Sequence, residues 1–174
     1  IAPVLCHMAE DIWQNLPYPV EETSVFQRGW PTAPDSWRDA SVQEPMQQLR
    51  ELRASVNKVL EDCRSRQELG ASLEASVRLE AHSPSLQSAL HWLNENGQPE
   101  VDGLRDWLLV SQLQIGGEPW AELLANHDDS VALIEVARAR GTKCERCWHY
   151  ESDVGQHADH PHLCGRCVSV LERL

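Results

Sequence analysis

The strongest constraint on the fold lies near the end of the sequence, where two Cys-x2-Cys pairs are separated by sixteen residues. The pairs are Cys144 with Cys147 and Cys164 with Cys167. Each pair predicts one tight knuckle, and the spacer lets the two knuckles face each other around a single Zn²⁺ ion. Because four thiolates fill a tetrahedral site and leave no open position, the predicted metal is structural rather than catalytic.

The same cysteines permit two other arrangements. Two disulfides would suit a small secreted domain, but the sequence shows no signal peptide, and its seven tryptophans and helical stretches predict an ordinary apolar core. Cys6 and Cys63 lie on apolar helix faces and are expected to be buried thiols. Four histidines in or beside the spacer are rival ligands, any of which could replace a cysteine: His149, His157, His160 and His162.

The residues around the cysteines also carry a family resemblance. After the first pair the sequence continues Trp148-His149-Tyr150, and Asp153-Val154-Gly155 precedes the second pair. Further matching segments stand upstream, at Gly141-Thr142-Lys143, Ser72-Leu73-Glu74-Ala75, Val25-Phe26 and Trp30-Pro31. In this order the segments resemble the C-terminal region of bacterial isoleucyl-tRNA synthetases, which are class I aminoacyl-tRNA synthetases, including its zinc-binding module. The resemblance covers nearly the whole chain.

The resemblance implies a mixed α and β fold in three parts. Residues 1–70 would be the C-terminal part of a helical anticodon-binding bundle, residues 71–140 a small α+β junction domain, and residues 141–174 a four-cysteine zinc knuckle or ribbon. Since the first residue is Ile1 rather than Met and a helix is already expected there, we expect the C-terminal piece of a longer polypeptide.

The function that the resemblance implies is binding of the anticodon stem-loop of tRNA(Ile). This binding would position the tRNA for ATP-dependent isoleucylation by an upstream catalytic domain of the same synthetase chain. The His-Ile-Gly-His and Lys-Met-Ser-Lys-Ser motifs of that domain are absent here, so no catalytic residue is expected. One structural Zn²⁺ is expected in this chain, whereas ATP and Mg²⁺ would bind only upstream. A cytoplasmic location is implied, with no DNA or membrane partner, since no apolar run approaches the roughly 18 residues of a membrane span.

Two side chains on the first knuckle are the main candidates for contact with RNA. Arg146 and Trp148 flank Cys147, and a guanidinium plane or an indole on a rigid turn can stack on an unstacked base. Tyr150 and Arg138 are secondary candidates. The competing interpretation of Trp148 is that it packs onto the α+β layer.

The charge of the chain argues against a polyphosphate partner. The formal net charge is −12, whereas nucleic-acid-binding domains usually carry a basic surface. The charge is uneven, however, because the stretch from residue 138 to 150 holds four basic residues against Glu145 alone: Arg138, Arg140, Lys143 and Arg146. Any contact with RNA is therefore expected to be local.

Apolar periodicity predicts two helices in the first part of the chain. Residues 3–15 form one helix, whose apolar stripe would be exposed if the segment stood alone: Val4, Leu5, Met8 and Ile12. Residues 41–64 form the longer helix, which follows a capping-box pattern at Ser41-Val42-Gln43-Glu44. The proline-rich residues 20–40 predict a loop that four side chains anchor to a core: Val25, Phe26, Trp30 and Trp37.

The second part of the chain predicts a small α+β layer. Apolar and polar residues alternate from Leu73 to Leu79, which predicts a strand with one buried face. Two further strands are predicted over residues 108–115 and 133–139, with a break at His127-Asp128-Asp129 between them. A short helix from Leu86 to Leu93 would cover one face of the sheet. The last strand then leads directly into the first knuckle.

Two functions of other classes fit parts of the sequence. A zinc-stabilised protein–protein interaction module would suit an acidic chain with exposed tryptophans. A DNA glycosylase carries a related zinc finger, but its second knuckle would be approached by an arginine and preceded by a helix-two-turn-helix. The approach here reads His160-Pro161-His162-Leu163, and predicted strands precede the finger.

Overall fold

The computed structural model describes residues 1–96 and 103–173, and its contacts divide the chain into two units, Ile1–Asp39 and Ala40–Leu174. The helices are α1 Cys6–Gln14, α2 Ala40–Ser65, α3 Pro84–Asn96, α4 Leu104–Leu108 and α5 Gly165–Leu171. The strands are β1 Ala75–Ala81, β2 Gln112–Ile115, β3 Ala125–Asp128, β4 Ala132–Arg138, β5 Thr142–Lys143 and β6 Tyr150–Glu151. The mixed α and β class is confirmed, while the three-part division at residues 70 and 140 stays a prediction.

The first unit is a short helix held to the loop that follows it. Helix α1 begins three residues later than predicted, because Pro3 lies in a turn rather than in the first helical turn. The carboxylate of Glu10 accepts hydrogen bonds from the Ser24 hydroxyl at 2.8 Å and from the Val25 amide at 3.1 Å. The loop is therefore fixed to α1 mainly by polar contacts.

The apolar side chains of the first unit remain largely exposed. The predicted stripe of α1 is unburied, with Val4 81% exposed and Ala9 the one buried residue of the helix. The predicted anchoring of the loop aromatics is wrong, because Trp30 is 83% exposed and Trp37 77% exposed. Cys6 is also exposed, contrary to prediction. This unit has too little apolar surface of its own to enclose these side chains.

The second unit begins with the long helix that the sequence predicted. Helix α2 spans 26 residues, and its buried side chains recur at helical spacing: Leu49, Leu52, Val56, Val59, Leu60 and Cys63. These side chains form one core with β1, β4 and α3, so two helices rather than one cover this face of the sheet.

The sheet has the strand order β2-β1-β4-β3, in which only the β1–β2 pair is parallel. The prediction of one strand over residues 108–115 is wrong. Helix α4 occupies residues 104–108, Leu109 adopts a left-handed conformation with φ of 57°, and β2 begins only at Gln112. The predicted break at His127 is also wrong, because residues 125–128 form β3 against β4.

The central strand β1 is buried on both faces, whereas the alternating pattern predicted one buried face. Arg78 is 2% exposed, and its guanidinium donates to the Glu135 carboxylate at 2.9 Å and to the Gly117 carbonyl at 2.8 Å. The buried charge is thus paired and hydrogen-bonded, as a low-dielectric interior requires. The Gly116 and Gly117 carbonyls that accept hydrogen bonds from Arg78 belong to the loop after β2. None of the helices among the described residues has the length and apolar character needed to cross a membrane.

Candidate metal centre

The four cysteines of the two Cys-x2-Cys pairs meet in one cluster at the end of the chain. Their sulfur atoms all lie within 4.8 Å of one another, and Sγ of Cys147 is 3.7 Å from Sγ of Cys164. With Zn–S bonds of about 2.3 Å, the edge of a tetrahedral site is about 3.8 Å. All six cysteines are free, so no disulfide competes for these sulfurs. The donor set and its spacing fit one four-coordinate Zn²⁺ ion.

The first knuckle is the tip of a small hairpin. Strands β5 and β6 pair Thr142 with Glu151 and Lys143 with Tyr150. Beyond them the Cys144 amide donates to the His149 carbonyl and the Trp148 amide donates to the Cys144 carbonyl, each at 2.9 Å. The turn therefore holds the residues on both sides of Cys147 in a defined backbone conformation.

The second knuckle is the start of α5. Cys164 precedes the helix, and its amide donates to Sγ of Cys144 at 3.4 Å. The Gly165 amide donates to the Asp153 carboxylate at 2.7 Å, which ties the spacer to the helix start. Arg146 joins the two knuckles, because its guanidinium donates to the Cys167 carbonyl at 3.2 Å.

Three of the four rival histidines have other side-chain contacts. His149 is buried with Nε2 3.7 Å from the Asp106 carboxylate, and Nε2 of His157 lies 3.4 Å from Asp153. Nδ1 of the exposed His162 lies 3.9 Å from the Glu145 carboxylate. Within the described residues the metal-ligating cluster consists of the four cysteines alone, without a histidine.

The protein surroundings shift the pKa values of the cluster thiols in different directions. Burial raises the pKa of Cys164 and of Cys167. Burial also acts to raise the pKa of Cys144, but backbone N–H groups of Cys147, Cys164 and Arg146 outweigh it and lower that pKa to about 6. Thiolate is the metal-ligating form of cysteine, so Cys144 is ready to bind metal at neutral pH, whereas Cys164 and Cys167 must first lose protons.

The metal cluster is attached to the α+β layer by polar contacts. The Arg166 guanidinium lies 3.1 Å from the Asp106 carboxylate of α4, and the Arg105 guanidinium lies 2.9 Å from the Glu151 carboxylate of β6. The Ser111 hydroxyl accepts a hydrogen bond from the Tyr150 amide at 2.7 Å. These contacts fix the direction in which the first knuckle points.

The candidate residues for RNA contact fall at two places. Arg146 and Trp148 are exposed on the first knuckle, and Tyr150 is half-buried in β6 beside them. Arg138 is exposed at the end of β4, with Nη1 4.0 Å from the Glu74 carboxylate. The structure thus gathers three of the four on one hairpin and leaves Arg138 outside it.

Trp148 has an unusual backbone conformation and a solvent-exposed ring. Its φ is 67°, in the left-handed region that bulky residues rarely adopt. Its side chain is 60% exposed, which does not fit the alternative of packing onto the α+β layer. The Lys143 ammonium lies 5.5 Å from the ring centroid, within the range of a cation–π contact. The sequence gave no sign of this contact.

The structure also reveals a basic cleft that the sequence did not indicate. It has a volume of about 860 Å³, lies between α4, β2 and α5, and is lined by four arginines: Arg105, Arg146, Arg166 and Arg173. Arg166 lies in α5, and Arg173 follows two residues after the end of that helix. Arg105 is distant in sequence, so no local pattern connects it to them.

Two family models match this chain. Residues 141–170 match a model described as a zinc finger found in FPG and IleRS. Residues 1–79 match a model described as the anticodon-binding domain of tRNA ligase. The first match covers the hairpin and both knuckles, and the second covers α1, α2 and most of β1.

Curated relatives match nearly the whole chain. The isoleucine–tRNA ligase of Parasynechococcus marenigrum (strain WH8102) is 79% identical over 173 residues, which is 99% of this chain and 18% of the relative. The isoleucine–tRNA ligase of Prochlorococcus marinus (strain MIT 9313) is 75% identical over 172 residues, again 99% of this chain and 18% of the relative. A third, from Synechococcus sp. (strain CC9311), is 73% identical over 173 residues, with the same shares of 99% and 18%. The chain thus spans less than a fifth of the length of these relatives.

Proposed function

Since this chain is homologous to a segment of isoleucine–tRNA ligases, we propose that it is the C-terminal tRNA-binding region of such a ligase. It positions tRNA(Ile) through the anticodon stem-loop for ATP-dependent isoleucylation. The catalytic domain, with its ATP and Mg²⁺, lies elsewhere in the same chain. Holding one end of a large substrate restricts where its reacting end can go, which is an orientation effect on the reaction.

The observation that carries this proposal is the conformation of Trp148. A left-handed backbone costs a non-glycine residue about 1–2 kcal/mol, and glycine would occupy this position without strain. The indole is nevertheless held 60% exposed at the tip of the knuckle, where it buries little of its own surface. Strain that is kept for no more than the Lys143 cation–π contact favours a role in binding, and an exposed indole is a stacking surface for an unpaired base.

Arg146 is the second proposed contact and has two functions. Its hydrogen bond to the Cys167 carbonyl holds the guanidinium beside the metal cluster, while the side chain remains exposed. A guanidinium retains donors for a base edge or a phosphate after one of them has been used. Tyr150 and Arg138 are proposed as weaker contacts at the margin of the surface.

Zinc is proposed to be the structural basis of this surface, bound by Cys144, Cys147, Cys164 and Cys167. The apolar side chains packed against the buried cysteines are few, namely Cys147, Val154 and Leu163. Metal binding in small modules contributes on the order of 10–16 kcal/mol at neutral pH, far more than so thin a core. The knuckle that holds Trp148 therefore depends on the metal.

The local charge permits RNA binding by an acidic chain. The net charge of −12 is spread over the whole sequence, whereas the stretch from residue 138 to 150 holds four basic residues against Glu145 alone. Electrostatic interactions between exposed charges are screened beyond about 8 Å at physiological salt. The phosphates near the knuckle are therefore governed by the local basic groups rather than by distant carboxylates.

The test is tRNA(Ile) affinity of the whole ligase carrying Trp148→Ala or Arg146→Ala, with isoleucyl-adenylate formation followed in parallel. We expect weaker tRNA binding in both variants and unchanged adenylate formation, because the adenylate is made without the tRNA. Unchanged tRNA affinity in both variants would refute the proposed contacts. In that case a zinc-stabilised protein–protein interaction module becomes the better account of the exposed knuckle.

A further inference from the structure

The cleft beside the metal cluster combines an apolar floor with a basic rim. Leu104, Leu113, Ile115 and Val170 line it together with the four arginines. Ile115 is 50% exposed and Val170 40% exposed, so part of the floor is open to a ligand.

The charge of the cleft is opposite to that of the chain as a whole. The lining residues include four arginines and one carboxylate, that of Asp106, and Arg105 is paired with Glu151 at 2.9 Å, so Arg146 and Arg173 are the lining arginines without an ion pair among the described residues. Asp106 is already paired with Arg166 at 3.1 Å. In a chain of net charge −12, this concentration of guanidinium groups favours an anionic ligand at this place.

The cleft lies beside the knuckle that carries Trp148. Arg146 and Cys147 line the cleft, and Trp148 follows them directly on the knuckle. An RNA strand with one base against Trp148 would therefore have its adjacent nucleotide next to Arg146. Guanidinium groups bind phosphate oxygens in a bidentate manner, and apolar side chains accept the flat face of a base.

We propose that this cleft binds a second unpaired nucleotide of the same RNA, with its phosphate at the arginine rim and its base over Ile115 and Val170. This inference rests on the proposed function, because it takes the ligand to be a single-stranded segment of the bound tRNA. It adds Arg173 and the apolar floor to the binding surface, neither of which was predicted from the sequence.

The experiment uses Arg173→Gln and Val170→Asp in the whole zinc-loaded ligase, with tRNA(Ile) affinity measured over a range of salt concentrations. Removing one phosphate contact lowers the slope of log affinity against log salt by about 0.7 for a single strand. Arg173→Gln is expected to show this decrease, and Val170→Asp is expected to weaken binding on the order of tenfold. Matched controls are Arg64→Gln and Val42→Asp, which make the same charge changes at exposed positions of α2 outside the cleft.

Each outcome decides the proposal. Loss of affinity or salt slope in the cleft variants, but not in the controls, supports it. If Trp148→Ala weakens binding while the cleft variants behave like their controls, the cleft proposal is overturned and the proposed function stands. If neither Trp148→Ala nor the cleft variants affect RNA affinity, both are overturned. Zinc content is measured for every variant, and Arg173→Gln alone decides the matter if Val170→Asp loses its metal.

Discussion

The Arg166 guanidinium donates to the Asp106 carboxylate over 3.1 Å, which joins the helix of the second knuckle to α4 of the α+β layer. Asp106 also lies 3.8 Å from Nε of Arg105 and 3.7 Å from Nε2 of the buried His149. Burial, and then the charge of Arg105, lowers the pKa of His149. The Asp106 carboxylate thus connects side chains of the α+β layer with side chains of the two knuckles.

Asp106→Asn should loosen this attachment without removing the metal. The Asp106 side chain is 25% exposed, and losing its charged hydrogen bond is expected to cost about 1–2 kcal/mol of local stability. Hydrogen exchange should therefore become faster from residue 141 to 173, while zinc content stays at one per chain. Asp62→Asn is the control, because Asp62 is exposed on α2. Equal exchange rates in the two variants would contradict this role of Asp106.

Gly141→Ala should disrupt the hairpin that presents the first knuckle. Gly141 has φ of 101°, and an added Cβ would lie 2.5 Å from the Glu151 carbonyl oxygen, a backbone atom that cannot move alone. Gly155→Ala is a matched control, because Gly155 has φ of 96° and nothing within 4 Å of the added Cβ. Left-handed strain costs both variants roughly 1–2 kcal/mol. Because only Gly141→Ala also has the contact with Glu151, it should release zinc to a chelator faster than Gly155→Ala. Equal release rates would show that the contact with Glu151 has no effect.

Trp148→Gly should separate recognition from stability. Glycine relieves the left-handed strain at this position, so thermal stability and zinc retention should be kept or improved. Loss of base stacking is worth about 1–3 kcal/mol per base, so tRNA(Ile) affinity should fall by roughly 5- to 150-fold. Leu109→Gly is the control, because Leu109 has φ of 57° and is 51% exposed outside the knuckle. A stability loss without an affinity loss would indicate a packing role for Trp148.

Zinc affinity should rise with pH. Burial raises the pKa of Cys164 and Cys167, so both thiols are protonated at neutral pH when no metal is bound, and zinc must displace at least these two protons. Cys144, with a pKa of about 6, is already largely ionised there. Lowering the pH by one unit should therefore weaken zinc binding by at least about a hundredfold. Chelator competition between about pH 6.5 and 8 measures this slope, and a pH-independent affinity would contradict it.

Local sequence patterns were sufficient for some elements and not for others. Helix α2 was predicted because its apolar residues repeat over many turns, and the cysteine spacing alone indicated the cluster that the structure forms. Strand β3 and helix α4 were missed because elements of four or five residues are too short for a period to be recognised. In β1, the alternation of polar residues predicted a solvent-exposed face. Arg78 on that face is instead buried and paired with Glu135, which lies 57 residues away.

Local sequence patterns also predicted only part of the proposed RNA-binding surface. Arg146 and Trp148 were found because they adjoin a cysteine whose role the spacing reveals. The cleft was not found, because Arg105 and Arg166 come from elements that only the tertiary fold brings together. The exposed Trp30 and Trp37 were wrongly expected to be anchored, since no sequence pattern states how much apolar surface the surrounding unit can offer.

The most direct test of a zinc-dependent tRNA-binding surface is tRNA(Ile) affinity of the whole ligase before and after its zinc is removed. Isoleucyl-adenylate formation is measured on the same samples, and Cys144→Ser provides a genetic equivalent of metal removal. We predict one zinc per chain, and a large loss of tRNA affinity with adenylate formation unchanged once that zinc is lost. Undiminished tRNA binding by the zinc-free ligase would contradict the account, because the knuckle that holds Trp148 would then not be needed for recognition.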